Sequence, residues 1–234
     1  LAMLDALSPE EWQALALSVK VSLWATVVSL PVGIWAAYAL ARWRFPGHGL
    51  LNGLVHLPLI LPPVVTGYLL LLTFGRQGWI GAALWDWFGF TFAFRWTGAA
   101  LAAAVMAFPL MVRAIRLAID AVDPRLEEAA STLGASRAVV FLTVTLPLIL
   151  PGVIAGAVLA FAKAMGEFGA TITFVANIPG ETQTLPTAIY SFLQVPGGDG
   201  AALRLVLISV AVAMGALALS EWLSRRVAAR IAGR

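Results

Sequence analysis

No cysteine occurs in the 234 residues, which excludes disulfides and thiolate-held metal. Histidine is nearly absent as well: His48 and His56 are the only two, too few for a histidine-based metal cluster, and no metal or cofactor is expected. Lysine is confined to Lys20 and Lys163. Neither ends the G-x-x-x-x-G-K-[ST] pattern that cradles nucleotide phosphates, so the chain has no Walker-type means of binding ATP. Charge of either sign is scarce. Only 12% of residues are Asp, Glu, Lys or Arg, against 61% hydrophobic, and mean hydropathy is +0.90. A soluble domain of this size has no core large enough to hide that much apolar surface, so most of its solvent must be lipid. With a net charge of only +3, no nucleic-acid partner is expected. The first 13 residues hold Asp5, Glu10 and Glu11 without a basic stretch, so no cleavable signal peptide is expected there.

What is present is a set of apolar segments, at 15–41, 51–74, 97–119, 148–174 and 201–223. At about 1.5 Å per residue, each is long enough to cross about 30 Å of hydrocarbon. No internal repeat or low-complexity linker divides them. The reading is one all-α transmembrane domain, 1–234, with five spanning helices. Arginine sets its orientation. Arg42 and Arg44, Arg113, Arg116, Arg125 and Arg137, and Arg225, Arg226, Arg230 and Arg234 make ten basic residues on one side, against Arg76, Arg95 and Arg204 on the other. The richer side is expected to be cytoplasmic and the N-terminus outside.

The outer segment 75–96 is crowded with Trp79, Trp85, Trp87, Phe88, Phe90, Phe92, Phe94 and Trp96. It reads either as a surface for an external partner or as an aromatic belt at the membrane interface. Segment 175–200, rich in Pro and Gly, is expected as an irregular outer loop with a short surface helix over Leu185–Leu193.

Between the third and fourth apolar segments lies a charged insert, 120–147. Asp123 with Pro124 reads as an N-cap followed by proline at the first helical position. Leu126, Ala129, Ala130 and Leu133 then fall at i, i+3, i+4 and i+7, one apolar stripe. Glu127, Glu128 and Ser131 lie off it, and the two acidic residues offer charge to a partner. Gly134 ends the helix in a left-handed turn. Ser136 caps a second helix to Leu146, and Pro147 begins the next span. The expected form is a helix–turn–helix on the cytoplasmic face, either a plain interfacial helix pair or a docking element for a soluble partner.

The spacing Glu128-Ala129-Ala130, three residues, Gly134, nine residues, Val144, one residue, Leu146-Pro147 resembles the cytoplasmic loop shared by permease subunits of ABC importers. Valine at 144 replaces the usual isoleucine. Two further stretches are similar to the molybdate-specific permeases of that family: His56 through Gly67, and Gly166-Glu167-Phe168-Gly169-Ala170-Thr171 with Asn177-Ile178-Pro179-Gly180 and Thr184-Leu185-Pro186. Sulfate and tungstate permeases share the Glu-Phe-Gly core. The resemblance implies the type I ABC importer permease fold, non-catalytic itself, and a homodimer in a bacterial inner membrane. It also implies an ATPase subunit, in two copies, gripping the loop at Leu126, Glu128, Ala129, Ala130, Leu133, Gly134, Leu146 and Pro147. A periplasmic or extracellular oxyanion-binding protein would deliver molybdate, or a related oxyanion, from outside.

Polar and helix-breaking residues within the apolar segments mark the candidate pathway. Lys163 and Glu167, four apart and expected on one helix face, form either a polar lining or a structural ion pair. An acidic group beside an anion's path needs its charge muted by pairing or protonation. Pro58, Pro62 and Pro63, with Thr66 and Gly67, interrupt a helix where only protein or a water-filled cavity can satisfy the backbone. Phe168 and Gly169 complete the set. Pro31 with Gly33 is expected to kink the first span, Arg113 and Arg116 to snorkel as topology anchors, and His56 to be a buried, hydrogen-bonded histidine. A stand-alone secondary transporter would need coupling-ion carboxylates and commonly a repeat; only Glu167 qualifies. An intramembrane enzyme would need a nucleophile with a base, or metal ligands, and the spans offer neither.

Overall fold

The computed structural model describes residues 7–231; Asp5 and Arg234, and the side chain of Arg230, lie outside the described residues. Every regular element among these is helical. Helix α1 (Pro9–Arg42) starts at a capping box in which Ser8 Oγ accepts from the Glu11 amide and Glu11 Oε2 from the Ser8 amide, satisfying two orphan donors at once. It runs for 34 residues with Pro31 inside it and no interruption. One backbone bond is lost there.

The second apolar segment is not one helix. It is α2 (His48–Ile60) and α3 (Pro63–Phe74), bent by 116° across Leu61 and Pro62. A residue before proline is pushed out of the helical region. The tandem Pro62-Pro63 applies that twice, so Leu61 has ψ 143° and Pro62 ψ 136°. At 13 and 12 residues, neither half alone reaches across about 30 Å. Among the described residues, four helices are long and apolar enough to cross a membrane, or five if the bent pair counts as one span.

Helix α4 (Trp79–Phe88) occupies much of the aromatic segment 75–96. Helix α5 (Trp96–Asp120) is the centre of the molecule, packed between α1 and a later long helix. Its Ala99, Ala102, Ala103, Met111, Val112, Ile115 and Ile119 are fully buried. Small side chains let backbones approach in lipid, where hydrophobicity gives no pull between helices. The insert follows as α6 (Pro124–Thr132) and α7 (Arg137–Val140), then a π turn (Phe141–Thr145) that passes straight into α8 (Leu146–Met165). Gly152 and Gly156 of α8 face α5. A Cβ at Gly156 would stand 3.1 Å from both Ile115 Cγ1 and the Met111 carbonyl.

The insert's second helix therefore does not end at Leu146, contrary to expectation. The Leu146 amide bonds to the Phe141 carbonyl, the widened π register. The π turn sits directly before Pro147, where the missing amide and the ring would disturb a regular α ladder.

The fourth apolar segment is likewise interrupted: α8 stops at Gly166, and α9 (Gly169–Val175) resumes after Glu167 and Phe168. Helix α10 (Leu185–Phe192) is not on the surface as expected. Leu185 and Ala188 are buried with Ala14, Leu15, Met165 and Leu205, and the Leu185 amide donates to Ser18 Oγ at 2.6 Å. The last helix, α11 (Asp199–Ile231), packs on α8 and α10. Its Arg204 donates to Glu11 Oε1 through Nε at 3.0 Å, with Nη2 at 2.9 Å. Glu11 is fully buried, so this pair fastens the first and last helices at one end of the bundle.

Candidate functional site

Two clusters bring together the residues singled out by sequence. The first lies where the two broken helices meet. Helix α3 packs on α9, and the contact is backbone to backbone. A Cβ at Gly67 would lie 2.5 Å from the Ala170 carbonyl oxygen and 2.9 Å from Thr173 Cβ; one at Gly169 would lie 2.7 Å from Pro63 Cβ. Only glycine permits this approach. Thr66, beside Gly67, is 5% exposed and its hydroxyl has no protein partner. Pro62 and Pro63 are exposed at the bend and Pro58 is half-buried.

Glu167 is 3% exposed and lies in the break after α8, outside the helix. The expected shared helix face is thus not how it meets Lys163: the lysine is in the last turn of α8 and the carboxylate folds back to it. Lys163 Nζ donates to Glu167 Oε2 at 2.6 Å, and the Ala170 amide donates to Oε1 at 3.0 Å. Both oxygens are engaged. The carboxylate closes α8 and caps α9, so the break owes its shape to Glu167. Phe168 packs against Tyr190 of α10, ring centroids 5.2 Å apart.

Around the bend, His56 is half-buried rather than buried, its Nδ1 2.9 Å from the Asn52 carbonyl. Arg116 does not simply snorkel. Its Nη1 donates to Asn52 Oδ1 at 3.3 Å and its Nε is 3.7 Å from Asp120 Oδ2, joining α5 to α2. Arg113 is exposed.

The second cluster is the insert. Asp123 Oδ1 accepts from the Arg125 amide at 2.9 Å, the expected N-cap. Gly134 adopts φ +86°, the left-handed turn that glycine enters without steric penalty. Ser136 Oγ accepts from the Val139 amide at 3.4 Å. No residue of α6 is buried. Leu126 is 49% exposed and Leu133 89%; Ala129 and the neighbouring Glu128 are exposed and Ala130 is half-buried, so most of the predicted stripe is open. Leu146, half-buried, and Pro147, exposed, open α8.

Glu127 departs from expectation: it is not offered outward. Its Oε2 is 3.3 Å from Arg42 Nε, and its Oε1 accepts from Thr145 Oγ1 at 2.8 Å. Arg42 Nη2 also donates to the Val122 carbonyl at 3.0 Å. Sequence reasoning missed Arg42 and Thr145 as members of this cluster. Arg42 stands 85 positions before its partner, and no local pattern announces such a contact.

Residues 29–229 match the family described as binding-protein-dependent transport system inner membrane component. The chain is 63% identical over 219 residues to the molybdenum transport system permease protein of Escherichia coli (strain K12), covering 94% of this chain and 96% of that one. It is 56% identical to the corresponding protein of Haemophilus influenzae, covering 93% and 95%. A sulfate transport system permease of Synechocystis is 37% identical, covering 91% and 76%. Among solved structures, an inward-facing methionine ABC transporter aligns with TM-score 0.69 at 16% identity, covering 93% of this chain and 94% of that one. A bacterial alginate ABC transporter aligns with TM-score 0.69 at 18% identity, covering 94% and 80%. At such identities these two speak for the fold alone.

Proposed function

Because the chain belongs to the family of binding-protein-dependent transport system inner membrane components, we propose that it is the membrane-spanning permease through which an ABC importer carries molybdate inward. The observation that carries this reading is 63% identity along 94% of the chain to a molybdenum permease, joined to an insert whose apolar stripe is left open to a partner. The chain transforms nothing chemically. Two copies enclose the path, and a separate ATPase subunit, in two copies, supplies hydrolysis. An oxyanion-binding protein delivers the cargo at the face that holds the N-terminus, α4 and α10. The arginine-rich face with α6 and the end of α11 is cytoplasmic.

On this reading Leu126, Glu128, Ala129, Ala130, Leu133 and Gly134 form the surface gripped by the ATPase, with Leu146 and Pro147 carrying its movement into α8. The meeting of α3 and α9, with Pro58, Pro62, Pro63, Thr66, Gly67, Phe168 and Gly169, forms the gate. Lys163 neutralises Glu167 there, which removes the objection to a carboxylate beside an anion's path. ATP binding and release bias two conformations differently, so the gate alternates between faces.

The test is uptake into proteoliposomes holding this chain, its ATPase and its binding protein, with molybdate competed by sulfate. ATP-dependent molybdate uptake that excess sulfate does not suppress is the expected result. Suppression by sulfate would move the cargo to sulfate, and uptake indifferent to ATP would overturn the reading.

A further inference from the structure

Helix α6 presents a mechanical problem. None of its residues is buried, so the packing that joins other helices to the core does not hold it. If it is the element an ATPase moves, as proposed above and on which this inference rests, the force needs a path into the membrane helices. The covalent turns at either end are one route. The other is a single side chain.

Glu127 points to the body of the protein while its neighbour Glu128 is exposed. One carboxylate oxygen reaches Arg42, the last residue of α1, at 3.3 Å. The other accepts at 2.8 Å from Thr145, a fully buried hydroxyl at the end of the π turn. Arg42 in turn holds the Val122 carbonyl at 3.0 Å, in the turn that leads to α6. The side chains of Arg42 and Glu127 are 17% and 16% exposed, so water competes little for the pair and screening is weak. The Arg42 Nε contact is close but not aligned as a hydrogen bond; the directional bond is the one from Thr145. Helix α8 leads from that π turn to Lys163 and the break at Glu167.

We propose that Glu127 is the positioning residue that ties the ATPase-facing helix to α1 and α8, transmitting its displacement to both while making no contact with the ATPase itself. A docking surface and a transmission point thus lie on adjacent residues, with Glu128 facing out and Glu127 facing in. The π turn gives the transmission a place to act. Its widened register is a segment of helix that a pull on Thr145 can tighten or loosen, changing the axial position of α8 relative to α5.

The experiment uses the complete permease–ATPase–binding protein complex in proteoliposomes and reads three quantities: ATPase co-purification, ATP hydrolysis rate, and oxyanion taken up per ATP. Glu127→Gln and Thr145→Val are expected to retain the ATPase at wild-type stoichiometry and to keep hydrolysing. Uptake per ATP is expected to fall about fivefold or more, the lower end of ordinary coupling between sites. Thr145→Ser, which keeps the hydroxyl, is expected to restore wild-type uptake per ATP; a merely structural role for position 145 would not separate valine from serine in that ratio. Wild-type uptake per ATP in both Glu127→Gln and Thr145→Val would overturn the inference, as would loss of the ATPase from Glu127→Gln, which would make Glu127 a docking residue. Failure of the underlying reading shows separately, as wild-type uptake that does not depend on ATP.

Discussion

Gly67→Ala is the sharpest probe of the proposed gate, because the added atom meets backbone. A Cβ at Gly67 would stand 2.5 Å from the Ala170 carbonyl oxygen and 2.9 Å from Ala170 Cα, where ordinary contact begins near 3.4 Å. No rotamer change relieves a clash with a carbonyl, so α3 and α9 must separate by about 1 Å. Overpacking of this kind costs about 1–3 kcal/mol. In a chain of this length that lowers the melting temperature by about 2 °C or more. Since the strain falls only on conformations in which the two helices touch, it also shifts the balance between conformations, by about 5-fold or more. Thermal melting of the purified complex and ATP-driven uptake read the two effects. Gly53→Ala in α2 is the control: a Cβ there meets nothing within 4 Å, and alanine is the better helix former, so neither readout should fall. Wild-type melting and uptake in Gly67→Ala would refute the claim that α3 and α9 must touch for the transporter to work.

Gly134→Asp places a side chain at φ +86° with open space around it. It should cost only about 1–2 kcal/mol of local strain, leave membrane insertion intact, and weaken ATPase docking or coupling. Unchanged ATP-driven uptake in this variant would sink the docking role of the turn. Lys163→Met strands a carboxylate whose side chain is 2% exposed. The loss in stability should be about 3 kcal/mol or somewhat less, reduced because Lys163 itself is 31% exposed; the check is melting, with the double replacement Lys163→Met, Glu167→Gln recovering most of the loss. Glu167→Gln alone keeps an acceptor for the Ala170 amide, so transport should change while the ATPase still co-purifies. If that variant does not fold, Glu167 is a structural group and not part of the gate.

Much of this was written in local sequence because the physics there is local. The scarcity of charge and the long apolar runs dictate lipid as solvent whatever the topology. Asp123, Pro124, Gly134 and Ser136 set the ends of the insert's helices through bonds made within a few residues. The prolines at 62 and 63 announce a break because their effect on the preceding residue needs no partner. Even the pairing of Lys163 with Glu167 was legible from spacing, although the helix that was to carry both ends between them.

Contacts between distant segments were not legible. A lone proline does not by itself end a helix: Pro31 lies inside the uninterrupted α1, while the tandem Pro62-Pro63 turns the chain by 116°. The burial of α10 requires Ser18 of α1 to receive its first amide, and the glycines at 67 and 169 show their purpose only once α3 meets α9. Glu127 and Glu128 are chemically identical neighbours that point opposite ways. Sequence determined that this is a membrane helix protein with an outward-facing charged insert, because those properties follow from solvent transfer and short-range bonding. Which carboxylate turns toward Arg42 and Thr145, which one stays exposed, and where two broken helices touch were decided by tertiary packing alone, because each depends on atoms brought together from remote parts of the chain.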